Sequence, residues 1–162
     1  MLVAGPNTSR VTFKKESALR LADEWQTLHS KNPALYSIIA HLAGFSGIAL
    51  GRYLVITQIW RSQEEQKQIY GASTRRKSPH QNWCAVDLRC KDLSENERAI
   101  LQHGLKKYDQ LNKFRHMPSS SRTVWIHAVP DGGIHFHVQF WGNNRMLPSR
   151  FDLVSRDISN IA

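Results

Sequence analysis

Cysteine is scarce in this 162-residue chain, with two residues, Cys84 and Cys90. Two thiols cannot build a disulfide framework, and a chain of this length buries enough surface to need none. They read as two reduced, partly buried thiols, with one disulfide between them as the alternative. Long apolar runs are missing as well: none approaches the ~20 residues needed to cross a bilayer. Residues 1–10 lack the charged head and the apolar stretch of about 7–15 residues that mark a secretory signal. A role outside the cytoplasm would therefore need release by lysis or delivery in a particle. Repeats, low-complexity segments and linkers are also wanting. The expectation is one domain over 1–162, with its core at about 50–141 and a polar, weakly patterned tail at 142–162. Acids are few: 13 Asp and Glu stand against 22 Lys and Arg, a net charge of +9. That balance excludes an acidic, solvating chain and points to an anionic partner, whether nucleic acid, membrane surface or bacterial cell wall.

What is present has clear periodicity. Ala18, Leu21, Ala22, Trp25 and Leu28 recur at helical spacing within residues 14–30. Asn32 followed by Pro33 suits a cap and first turn, and the helix it opens is expected to run from 33 to about 45, ending in Gly44 and Gly47. Residues 53–60 are β-branched and aromatic and read as a buried strand. Ser62 and Glu65 form a capping box for a helix that stops at Gly71. A basic loop at 74–78 leads to a short strand around 84–88, and a second capping box, Ser94 with Glu97, opens a helix reaching about 108. After a polar loop at 118–122, residues 123–129 and 133–141 read as two strands. The Pro130-Asp131-Gly132 sequence between them suits a three-residue hairpin loop, a type I turn followed by a left-handed glycine. The order α, α, β, α, β, α, β, β predicts an α+β domain: a small antiparallel sheet flanked by about four helices.

Histidine carries the chemistry. His135 and His137 alternate on one strand and share a face. With a three-residue loop, Val129 pairs with Gly133 and His127 falls opposite His135; an even loop would send His127 to the other face. Three imidazoles make a poor core, because each neutral ring still needs a donor and an acceptor when buried. A metal meets that demand; a solvent-facing edge hairpin is the alternative. A second segment, 78–88, holds His80 and Asp87, and Asp87 is the one acid in an apolar strand. A carboxylate there is costly unless a cation offsets it. One histidine, one aspartate and one histidine make a three-ligand Zn²⁺ site with an open position for water.

These segments resemble the zinc peptidases of the D-Ala-D-Ala carboxypeptidase and L-alanyl-D-glutamate endopeptidase family. That family includes phage lysins and is related to lysostaphin, murein endopeptidase and the hedgehog signalling domain. Its first signature is Ser-x-His-x-x-Gly-x-Ala-x-Asp, matched in register by Ser78, His80, Ala85 and Asp87, with Trp83 standing at the glycine. Arg61, Ser62, Gln66, Ile69 and Tyr70 follow its upstream element, and the strand from Ile134 to Gln139 its closing histidine element. The three elements span about 61–139 in the family's order. Carboxypeptidase members carry a glutamate base three residues before the last zinc histidine; here that residue is Ile134. The resemblance thus favours a His-x-His arrangement in which His137 binds zinc with His80 and Asp87 while His135 assists catalysis.

The resemblance implies a hedgehog- or peptidase-like fold and a zinc metallopeptidase that hydrolyses an amide bond in peptidoglycan stem peptides. His135 would move the proton, His127 would donate to the developing oxyanion, and Arg61, Gln66 and Ser78 would contact substrate. A phage or prophage endolysin is expected, made in the cytoplasm and acting as a monomer on the cell wall. The alternative is a catalytically inactive zinc-containing binding or virion structural domain of the same fold. No specific nucleic-acid partner is expected. Arg75-Arg76-Lys77 and Lys106-Lys107 are short clusters with no zinc-finger, helix-turn-helix or aromatic-platform signature beside them.

Overall fold

The computed structural model describes residues 11–73, 78–106, 124–129 and 133–141. Strand β1 (Val11–Phe13) precedes two packed helices, α1 (Ala18–Lys31) and α2 (Pro33–Ala49). Strand β2 (Leu54–Gln58), helix α3 (Gln63–Tyr70), a 3₁₀ turn (Pro79–Asn82) and strand β3 (Ala85–Arg89) follow. Helix α4 (Glu95–Lys106) and a hairpin of β4 (Val124–Val129) and β5 (Gly133–Gln139) complete the described chain. The expected tail at 142–162, the basic loop at 74–77, the polar loop at 118–122 and the hairpin loop at 130–132 lie outside the described residues. None of the described helices is long and apolar enough to cross a membrane.

The helices form where their caps and apolar faces require. In α1, Leu21, Trp25 and Leu28 point inward and are buried. Asn32 caps α2, its Oδ1 accepting from the Leu35 backbone N–H at 3.1 Å, with Pro33 in the first turn. The capping boxes at Ser62 and Ser94 are both closed: each serine hydroxyl accepts from the glutamate N–H three residues on, and each glutamate accepts from its serine N–H. Helix α3 ends at Gly71, at φ +93°, as its sequence predicts. Helix α2 departs from expectation by running through Gly44 and Gly47 to Ala49. An interior glycine costs a helix about 1 kcal/mol, and the turn beyond Gly44 has its own contacts: Ser46 and Gly47 are buried, and the Ser46 hydroxyl donates to the Arg52 carbonyl at 3.1 Å. A left-handed glycine does end it, but further on: Gly51 at φ +63°, with the Arg52 N–H returning to the Ser46 carbonyl.

The sheet has five strands in the order β1-β2-β3-β5-β4. It is mixed rather than purely antiparallel, because β1 runs parallel to β2. Three residues are too few to show an alternation, so that edge strand was invisible to periodicity. The hairpin register agrees with a three-residue loop: Val129 pairs with Gly133 and His127 with His135. One sheet face presents Val86, Leu88, Phe136 and Val138 to the core shared with α1, α2 and α4. Each such large side chain contributes about 1.5–3 kcal/mol by leaving water. Strand alternation then sends Asp87, His135, His137 and Gln139 to the other face.

Candidate metal centre

Asp87 on β3 lies directly across from His137 on β5, so both project from one face of the two innermost adjoining strands. His80 reaches the same point from the 3₁₀ turn before β3. Asp87 Oδ1 stands 2.8 Å from His137 Nδ1 and 3.3 Å from His80 Nε2. Tetrahedral zinc with bonds of about 2.0–2.1 Å sets its ligand atoms about 3.3 Å apart, so little movement separates this arrangement from a loaded one. Ligand atoms from His80, Asp87 and His137 all lie within 4.8 Å of one another, and all three residues are buried. The cluster can hold a metal ion.

The hydrogen bonds around it favour that use. His80 Nδ1 donates to the Ile59 carbonyl at 2.9 Å, so in the neutral ring Nε2 carries the lone pair. That Nε2 is buried without a hydrogen-bond partner, and it faces a carboxylate oxygen. Two lone pairs set against each other in a dry site call for a cation between them. Burial pushes the Asp87 carboxyl up, but the neighbouring His80 and the hydrogen bond from His137 outweigh it and hold the group well below the usual carboxylate range. Burial likewise lowers His137, against the opposing pull of Asp87, which favours the neutral imidazole that metals bind. The proton between His137 Nδ1 and Asp87 is one that a metal would displace.

The other carboxylate oxygen, Asp87 Oδ2, faces His135 Nε2 at 3.6 Å and Arg61 at 3.7 Å. His127 completes the face, its ring centroid 5.3 Å from that of His135 and 6.4 Å from that of His137. Arg61 was expected to reach a substrate carboxylate. It is buried, turned toward Asp87, and donates to Gln66 Oε1 at 3.2 Å. Gln66, itself buried, therefore orients Arg61. The backbone beside Arg61 is tied down from α1, where Glu24 accepts from the Trp60 N–H at 3.1 Å. Burial raises the Glu24 carboxyl despite that bond and its Arg20 partner. Ser78 caps the 3₁₀ turn, its hydroxyl accepting from the His80 N–H, while Gln81 closes the box by accepting from the Ser78 N–H. That Ser-x-x-Gln pattern was readable in the sequence by the rule that found Ser62 and Ser94.

Trp83 takes up the turn by itself. It stands where the resembling family has glycine, and it adopts a left-handed conformation, φ 58° and ψ 27°. Among the described residues it is the one non-glycine at positive φ. The left-handed region costs an L-residue about 1–2 kcal/mol, and the Trp83 ring offsets this by stacking on Trp60 at 6.1 Å between centroids. Substitution separates the two contributions. Trp83→Gly is expected to be more stable than Trp83→Ala by about 1 kcal/mol in urea denaturation, the reverse of the usual order. Equal or inverted stabilities would show that the turn is not left-handed.

Comparisons of the chain with protein families, curated proteins and solved structures found no match.

Proposed function

We propose that this protein is a zinc-dependent peptidase that hydrolyses an amide bond in the peptide stems of peptidoglycan, as phage and prophage lysins do. The observation that carries the reading is the convergence of His80 Nε2, Asp87 Oδ1 and His137 Nδ1, with two further histidines on the same sheet face. Two nitrogens and one oxygen from three side chains, leaving a fourth position for water, are the donor set of catalytic rather than structural zinc. The motif resemblance over 61–139 supplies the substrate class. A net charge of +9 suits an anionic wall.

When bound, zinc supplies Lewis-acid polarisation of the scissile carbonyl and acidifies the attacking water. With zinc bound, His135 would take the proton from the attacking water and pass it to the leaving amine, the role of a general base and acid. Its Nδ1 lies 3.4 Å from the Gly133 carbonyl, an acceptor, which favours the tautomer with a basic Nε2. His127, beside it, donates to the carbonyl oxygen as charge develops there. Arg61 holds Asp87 from the far side and adds positive charge to the pocket.

Purified protein is expected to bind one zinc per chain and to release new amino termini from isolated peptidoglycan. Mass spectrometry of the muropeptides identifies the bond, and chelation is expected to stop the release. Absence of stoichiometric metal would sink the proposal. The second reading, a zinc-containing binding or structural domain, draws on Ile134, which leaves the carboxypeptidase glutamate position without a carboxylate. Bound zinc with no cleavage of any muropeptide would favour it.

A further inference from the structure

Asn32 does more than begin a helix. Its Oδ1 alone serves the cap of α2, a task that serine, threonine or aspartate performs as well. Its amide end is used separately and completely: Nδ2 donates to the Trp83 carbonyl at 3.1 Å and to the Phe140 carbonyl at 2.7 Å. Those acceptors lie 51 and 108 residues away. Trp83 sits between His80 and Asp87 in the chain, and Phe140 follows the strand that carries His137. The side chain is 2% exposed, so water does not stand in for either bond.

We propose that Asn32 is the positioning residue of the metal centre, fixing the His80–Asp87 segment and the end of the His137 strand at one spacing. The inference rests on the metal-binding reading of that cluster. Two features make the position consequential. Trp83 is held in a strained backbone conformation, which persists only where its surroundings over-determine it; the Asn32 amide is one such restraint, applied to the strained residue's own carbonyl. The Phe140 N–H meanwhile donates to the Cys84 carbonyl at 2.9 Å, so both segments are joined where Asn32 grips them. A change in that grip moves His80 and His137 relative to each other, and ligand spacing sets affinity.

Asn32→Ser keeps a capping oxygen and removes both donations. Zinc affinity and thermal stability, each measured with and without zinc, test it against wild type. Leu42→Ala serves as the control: it creates a cavity in the core, and Leu42 lies against Gly104 of α4, away from the centre. Asn32→Ser is expected to bind zinc at least about tenfold more weakly and to gain less stability from zinc, as for residues that orient metal ligands. Leu42→Ala is expected to lose stability while keeping zinc affinity within about twofold. Wild-type affinity in Asn32→Ser, or an equal loss in Leu42→Ala, overturns the inference. If the serine variant does not fold, Asn32→Asp, which retains the cap, is read in the same way. Failure of wild type to bind zinc overturns the metal reading itself, a separate result.

Discussion

Asp87→Asn is expected to abolish metal binding at micromolar zinc while leaving the fold standing. The substitution is nearly isosteric, and β3 is held by pairing on both sides and by Val86 and Leu88 in the core. What changes is the charge. Asp87 Oδ1 is the point on which His80 and His137 converge, and Oδ2 is the oxygen that faces Arg61 and His135. A neutral amide offers zinc a poor oxygen and leaves Arg61 and the imidazoles without a counter-charge. Apparent zinc-binding free energies of about 10–16 kcal/mol in small structural sites divide among a few ligands, so losing the anionic one predicts a fall of about 10³-fold or more. Equilibrium dialysis with metal analysis measures it, and circular dichroism checks that the variant is folded. Wild-type zinc content in a folded Asp87→Asn protein would remove Asp87 from the ligand set.

The second large effect separates the two strand histidines. His135→Gln is expected to retain zinc within a few-fold of wild type yet to lose about 10²–10⁴-fold in peptidoglycan hydrolysis. Glutamine keeps a polar side chain of similar reach but does not accept a proton near neutral pH. The geometry motivates the split. His137 Nδ1 is 2.8 Å from Asp87 Oδ1, inside the cluster, whereas His135 Nε2 is 3.6 Å from the opposite oxygen and beside His127. Metal loss in His135→Gln with metal retained in His137→Gln would exchange the two roles. Full turnover in His135→Gln would take proton transfer away from this residue altogether.

The centre was legible in the sequence where chemistry and local geometry coincide. A lone acid in an apolar strand, a His-x-His alternation and an odd hairpin loop are each short-range signals. The hairpin reading placed His127, His135 and His137 on one face with the register the sheet adopts; Asp87 joins them from β3 and His80 from the 3₁₀ turn before it. Other features depend on partners far along the chain. Nothing near Asn32 announces carbonyls 51 and 108 residues away. Arg61 was read as a substrate contact, and its pairing with Gln66 and Asp87 depends on those two meeting it there. Gly44 and Gly47 signalled an end to α2 that contacts in the turn beyond Gly44 overrode. Trp83 occupies a left-handed turn that sequence rules reserve for glycine, so its fit was visible only in the backbone.

The order of the strands bears on how the centre comes into being. β5 is the last described strand in sequence, yet it lies between β3 and β4 in the sheet. His137 reaches Asp87 across 50 residues of chain, and neither α-helical packing nor the β4–β5 hairpin brings the two together alone. Closing so long a loop is slow compared with forming local helices. A nascent chain that has not yet placed β5 has two of the three ligands and no site. On the zinc reading proposed above, metal capture would be a property of the finished fold, and zinc uptake during refolding would report the moment at which the sheet is complete.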